Sequence, residues 1–180
     1  MPRTPKTKHI FSGRIISVDV ADIELPNGRP ATIEVIRHPG GAAAVAIDNQ
    51  NRVCLLRQYR PVFDRWIWEV PAGKLDAGES PQSAAQRELA EEAGLAASNW
   101  QSLGEALPSP GVFGEVLHLF LARNLSDTPA APEEHELFEV HWVALEDAVA
   151  KALSGEITDA KTVIGLFRAQ AVLRDTSHDT

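Results

Sequence analysis

The order of signals along this chain predicts an α+β fold, a sandwich built on a mixed sheet. Strand-like runs crowd the stretch up to Val70, helical periodicity enters only afterwards, and the two do not alternate regularly as they would in a doubly wound sheet. From His9 to His38, the runs Ile15–Val20, Asp22–Leu25 and Ala31–Ile36 read as two or three strands, with Pro26-Asn27-Gly28 supplying hairpin turn chemistry. Residues 1–38 are therefore expected to form a small N-terminal antiparallel meander, and residues 39–180 the main domain. So short a meander cannot bury a core of its own, which implies packing on the rest of the chain or on a second copy. Pro39-Gly40-Gly41 ends it. Ala42–Ile47 and Val53–Gln58 flank Asp48-Asn49-Gln50-Asn51 and read as a further hairpin, and Trp66–Val70 is a strand stopped by Pro71. Ser80 as N-cap, Pro81 at the first helical position and Gly94 as C-cap predict a helix from Pro81 to Ala93. Beyond it, Glu115–Leu121 and Leu137–Val143 are expected strands, and Leu145–Leu153 and Ala160–Leu173 expected helices.

The 180 residues are 44% hydrophobic and 23% charged, which suits one domain with a substantial core plus a small appendage. Seventeen Lys and Arg against 25 Asp and Glu give a net charge of −8. That excess repels polyanions and argues against a nucleic-acid or anionic-membrane surface, while a small anion can still bind if a metal bridges it to carboxylates. No apolar run approaches the roughly 18 residues of a membrane span, and the basic first residues lead into Ile10-Phe11-Ser12-Gly13-Arg14 rather than a signal-peptide core. The single cysteine, Cys54, excludes an internal disulfide framework and reads as a buried strand residue. A cytoplasmic protein in a reducing compartment is expected.

Within the predicted helix, Glu88, Glu91 and Glu92 crowd together although like charges three or four apart repel one another. At about 100° per residue, Glu92 lies about 40° from Glu88 on one side and Glu91 about 60° on the other, so the three share one arc. Ala84 and Ala85 flank that arc one turn earlier and are expected to leave room for an ion and its waters. Hard oxygen donors suit Mg²⁺ or Mn²⁺ rather than zinc. The plainer reading is a solvated acidic face on which Arg87 and Glu91 form an ordinary i,i+4 pair.

The spacing around the cluster adds information. Gly73, Glu79, Arg87-Glu88-Leu89, Glu91-Glu92 and Gly94-Leu95 resemble at every fixed position the signature of the Nudix hydrolases. With seven fixed positions each at a frequency of roughly 7%, one window matches by chance with a probability of about 10⁻⁸. The resemblance implies the α/β/α sandwich of that family and hydrolysis of a nucleoside diphosphate linked to another moiety, with a divalent metal. Carried over by position, Glu88 and Glu92 become the principal metal ligands, Glu91 an additional ligand and catalytic group, and the Ala72 carbonyl a backbone ligand. Arg87 becomes the group that orients Glu79 or a neighbouring carboxylate.

The flanks resemble the ADP-ribose pyrophosphatases of that family. Pro110 of Ser109-Pro110-Gly111 lies sixteen residues after Gly94, the spacing of that subfamily, and Arg57-Gln58-Tyr59-Arg60, Trp68–Gly73 and Glu115 are similar to its other pieces. The resemblance implies that Arg60 contacts the diphosphate, that Glu69, Pro110 and Gly111 contact the substrate, and that the N-terminal strands are exchanged in a homodimer. Trp66 is the best candidate among four tryptophans for stacking on a base. The subfamily takes its general base from a loop before the last strand, which maps the base to Glu134 and a further metal contact to Glu136. One departure is that Val112 and Phe113 stand where small polar residues are often seen. The expected function is Mg²⁺-dependent hydrolysis of ADP-ribose to AMP and ribose 5-phosphate. The alternatives are a nucleotide-sugar hydrolase acting on GDP-mannose or a similar molecule, and a non-catalytic nucleotide-binding regulator, whose mark would be a degraded box.

Overall fold

The computed structural model describes residues 6–131 and 137–178, with side chains as far as Asp175. The chain divides into two compact units, one running to Gly40 and including Leu107–Val116, the other comprising Gly41–Ala106 and the chain from Leu117 onward.

In the first unit β1 (Lys6–Ser12), β2 (Ser17–Glu24) and β3 (Pro30–Arg37) form an antiparallel meander. Gly28, at φ +79°, makes the predicted turn, where the Leu25 amide donates to the Arg29 carbonyl at 2.8 Å. Ile15–Val20 and Asp22–Leu25 are not two strands: nothing breaks the chain between them, and β2 runs straight through Ala21. The 107–116 loop joins this unit through a parallel bridge between Ile36 and Phe113, with Ile36 donating to the Val112 carbonyl and Gly114 to the Ile36 carbonyl, both at 2.8 Å. Phe113 also packs on the His38 ring, 5.4 Å between centroids, so the apolar departure in this loop serves its attachment to β3.

The second unit carries two sheets. One is antiparallel, in the order β10 (Phe138–Ala144), β5 (Arg52–Arg60), β6 (Arg65–Glu69). The other is mixed, in the order β7 (Ala72–Lys74), β4 (Gly41–Ala46), β9 (Leu117–Asp127), β8 (Leu95–Ala106), with β4 and β9 parallel. The helices are α1 (Pro81–Ala93), α2 (Leu145–Ser154) and α3 (Ala160–His178), so the helix predicted at Pro81–Ala93 forms with those bounds. Its caps are as expected: Ser80 accepts from the Ser83 amide at 3.1 Å, and Gly94 sits at φ +65°.

Every residue of β4 is buried, as a strand covered on both faces requires. Ala43 and Val45 pack with Leu55, Leu119, Leu121 and Leu166 on the side of α3, while Ala42, Ala44 and Ala46 pack with Ala84, Ala85 and Leu89 of α1. The result is the α/β/α sandwich expected of the sequence. One expectation for this unit fails instructively, and one strand was not anticipated. Ala42–Ile47 and Val53–Gln58 are not a hairpin: both edges of β4 are taken by β7 and β9, so after a turn at Asp48–Asn51 the chain enters the other sheet, with a single bridge between Ile47 and Val53. And β8, twelve residues long, has no strand-like sequence because it is an edge strand that buries little beyond Leu95 and Leu103; pairing with β9 imposes its conformation.

On one side of β4, α3 packs closely. A Cβ added to Gly165 would lie 2.8 Å from Cγ2 of the enclosed Val45. Replacing a helical glycine by alanine ordinarily stabilises by about 1 kcal/mol, but overpacking a core typically costs 1–3 kcal/mol, and a valine methyl at the centre of the sheet cannot give way. Gly165→Ala is expected to lower the stability measured by urea unfolding by up to about 2 kcal/mol.

Candidate active site

The site begins where β6 ends. Glu69-Val70-Pro71 turns the chain from one sheet into the other, β7 follows, and a loop closed by the Glu79 amide on the Asp76 carbonyl (3.0 Å) delivers the capped start of α1. Because Ala84 and Ala85 are wholly enclosed against β4, the helix lies close to the sheet and its next turn meets β7 edge-on. The room those alanines were expected to leave for an ion is filled by the sheet; their smallness sets the helix–sheet distance instead. At Gly73 the approach is closest: a Cβ there would stand 1.9 Å from Oε1 of Glu88. Only glycine lets that carboxylate lie against the strand.

Arg87 holds the cluster together. Its Nε and Nη2 donate to the two oxygens of Glu79, each at 3.0 Å, Nη1 donates to Glu88 at 2.6 Å and to Glu91 at 3.1 Å, and Nη2 also reaches the Lys74 carbonyl at 3.1 Å. The hydrogen bonds from Arg87 hold Glu79 below the usual carboxylate range, and the same bonds, that to Glu79 foremost, push the guanidinium up. Glu92 is buried and accepts the Ala72 amide at 2.8 Å. The structure thus brings Ala72, Glu79, Arg87, Glu88, Glu91 and Glu92 into one cluster, with both the i,i+4 pair and the orienting contacts anticipated for Arg87. Among the described residues no three His, Cys, Asp or Glu side chains converge as a metal cage.

Beside this cluster lies a cavity of about 510 Å³ bounded by Arg60, Arg65, Glu69 and Lys161 together with Phe63 and Thr158. Arg60 forms a fork on Glu69, Nε to Oε1 at 2.6 Å and Nη2 to Oε2 at 2.7 Å, and Lys161 contacts Glu69 Oε2 and, at 3.1 Å, Asp159. Glu69 is thus shared between two cations. Burial opposes its ionisation, but Arg60 and Lys161 overcome that and hold it at about 2. The charge of Glu92 also acts on Arg60, so cluster and cavity are joined electrically.

Trp66 is not in that cavity. On β6 it points away from Glu69 and lies edge-on to Tyr59, 5.8 Å between centroids, because residues an odd number apart on a strand face opposite ways. Pro110 and Gly111 belong to the first unit, near Glu115, which pairs with His38 at 3.3 Å. Glu134 and Glu136 lie outside the described residues. Lys161 and Asp159 escaped the sequence reading, since they are about ninety residues from Glu69; the sole local hint was an acid and a threonine three apart at the start of a helical run. Cys54 is buried as expected, with burial and the nearby Glu92 pushing its thiol up to about 12.

The glutamate cluster thus lies where strand passes into helix on an α/β/α sandwich, with a cavity that holds Arg60 and Arg65 alongside. The sequence model of the NUDIX domain matches residues 37–164, and the chain belongs to that family. It is 40% identical to the methanol dehydrogenase activator of Bacillus methanolicus and 39% identical to the ADP-ribose pyrophosphatase of Bacillus subtilis, in each case over 91% of this chain and 90% of the relative. A solved structure of an ADP compounds hydrolase superposes with a TM-score of 0.81 over 98% of this chain and 97% of its own, at 23% identity, a likeness of fold.

The ionisation of Glu69 has a measurable consequence. A carboxylate at about 2 in the fold, against an ordinary 4.5, stabilises fully above about pH 4.5 and loses that contribution as pH falls toward 2. The amount is on the order of 3 kcal/mol. Urea unfolding from pH 7 to pH 2.5 should therefore show stability falling more steeply in the wild type than in Glu69→Gln, which has no proton to gain. Parallel curves would show that this carboxylate is not held by its two cations.

Proposed function

We propose that this protein is a divalent-metal-dependent pyrophosphohydrolase that cleaves ADP-ribose to AMP and ribose 5-phosphate, with Mg²⁺ as its ion. The observation that carries the reading is a complete glutamate box joined to an arginine-lined cavity, in a chain that is 39% identical over 91% of its length to an ADP-ribose pyrophosphatase.

The box residues suit such an ion. Glu79, Glu88, Glu91 and Glu92 gather hard oxygen donors in one place, three of them bonded to Arg87, and the absence of a Cβ at Gly73 lets the Glu88 carboxylate lie against the strand. Glu88 and Glu92 would be the principal ligands, with Glu91, the Ala72 carbonyl and Glu136 completing the set. A bound divalent ion offsets the charge of the diphosphate and lowers the pKa of a water. The chain's own groups do the rest. Arg60 turns its fork from Glu69 to the diphosphate while Lys161 keeps Glu69 paired, and Arg87 orients Glu79 and the neighbouring glutamates. Glu134 accepts the proton of the attacking water as its oxygen bonds to one phosphorus; the bridging P–O bond breaks, and its electron pair stays on the departing phosphate.

The first unit exposes the apolar side chains of Ile10, Phe11, Ile15, Leu25 and Ile33 on both faces of its meander, surface that a second copy would cover in part. Sedimentation at micromolar concentration should give a dimer; a fully active monomer would remove this part. No described helix is long and apolar enough to cross a membrane.

The decisive experiment offers ADP-ribose and GDP-mannose with Mg²⁺ and follows the products by chromatography. AMP and ribose 5-phosphate should appear, EDTA should stop their release, and Glu92→Gln should lower kcat by at least about 10²-fold while the fold survives. Faster turnover of GDP-mannose would transfer the assignment to nucleotide sugars. In the same assay Glu134→Gln should lower kcat by about 10²–10⁴-fold with little change in KM, the usual worth of a general base; an unchanged kcat would place the base elsewhere.

A further inference from the structure

Thr162 stands in the first turn of α3, completely enclosed, and touches neither the box glutamates nor Arg60 through any bond described above. Its hydroxyl makes two hydrogen bonds. Oγ1 accepts the amide of Val70 at 2.9 Å and donates to Oδ2 of Asp159 at 2.6 Å. The same Asp159 oxygen accepts the Thr162 amide at 3.0 Å, which makes Asp159 the N-cap of α3 and fixes the orientation of the threonine.

What Thr162 grips is the corner between the two parts of the site. On one side of Val70 is Glu69, which carries the fork of Arg60. On the other side the Pro71 carbonyl accepts the Ala44 amide at 2.9 Å, and the Ala72 amide donates to Glu92 at 2.8 Å. A rotation of the Val70 peptide would move the carboxylate that holds Arg60 and the backbone that holds Glu92 in one step. A hydroxyl, able to accept and donate at once, can anchor that peptide to the helix cap.

We infer that Thr162 is a positioning residue, whose hydroxyl fixes the Glu69–Ala72 corner so that the arginine fork and the box glutamates address the same diphosphate. The inference rests on the pyrophosphohydrolase reading for its kinetic consequence, and on geometry alone for its structural one.

Three variants test it. Thr162→Val keeps the shape and leaves the Val70 amide without its acceptor; Thr162→Ser keeps the hydroxyl; Leu166→Ala removes a buried side chain one turn further along α3 and serves as a control for lost stability. At a temperature where all remain folded, Thr162→Val should lose about tenfold in kcat/KM for ADP-ribose, the scale of one buried hydrogen bond. Thr162→Ser should stay within about twofold of wild type, and Leu166→Ala should be unchanged. Amide hydrogen exchange at Val70 and Ala72 should quicken in the valine variant and remain slow in the serine variant. Wild-type kcat/KM in Thr162→Val, a serine variant as impaired as the valine one, or an equal loss in Leu166→Ala overturns the inference. If the wild-type protein fails to hydrolyse ADP-ribose, the substrate reading falls by itself, and exchange decides the remainder: unchanged protection at Val70 in Thr162→Val overturns the anchoring role.

Discussion

One guanidinium among four carboxylates is the interaction on which this site depends. Two like charges about 5 Å apart repel by about 3 kcal/mol at the effective dielectric of a protein surface, so Glu79, Glu88, Glu91 and Glu92 would not gather unaided. Arg87 bonds to three of them, and the loop from β7 to α1 bends back far enough for Glu79 to meet it. The remaining member, Glu92, is steadied from the strand side by the Ala72 amide. The oxygens gathered in this way are hard donors of the kind a divalent ion prefers.

Such a cluster needs the helix to sit close to the sheet. Side chains larger than Ala84 and Ala85 would lift α1 from β4 and draw Glu88 away from Gly73. The same economy of size recurs on the opposite face, where Gly165 lets α3 close on Val45 and brings the start of that helix to the β6–β7 corner. The central strand is rich in alanine for this reason: it is a thin plate against which two helices set both halves of the site.

Which features were legible in the sequence follows from how local they are. The box is written within 23 consecutive residues and its helix has both caps, so the spacing revealed the glutamates, Arg87 and the helix bounds. The role of Gly73 was legible only as a position in a pattern; the 1.9 Å approach that explains it is tertiary. Lys161 and Thr162 answer to partners about ninety residues away, and no local signal links them to Glu69 and Val70. The supposed hairpin at Asp48–Asn51 failed because a turn does not say which sheet the next strand will join. Trp66 was a different case. Its three-residue separation from Glu69 on one strand puts the two on opposite faces, a parity that the sequence alone carries.

The parallel pairing of β4 with β9 also bears on how the molecule comes into being. Gly41 of the central strand lies beside Leu117, and everything between them, including β5, β6, β7, α1 and β8, is threaded before that partner exists. On a ribosome the plate that supports the glutamates therefore has one bare edge until the chain has been made past Leu117, and pairing across such a sequence distance is intrinsically slow. A nascent chain could form the α1 cap and the Arg87 fan early, but its central sheet must wait, and during that interval the edge of an alanine-rich strand is the surface most in need of protection from other nascent chains.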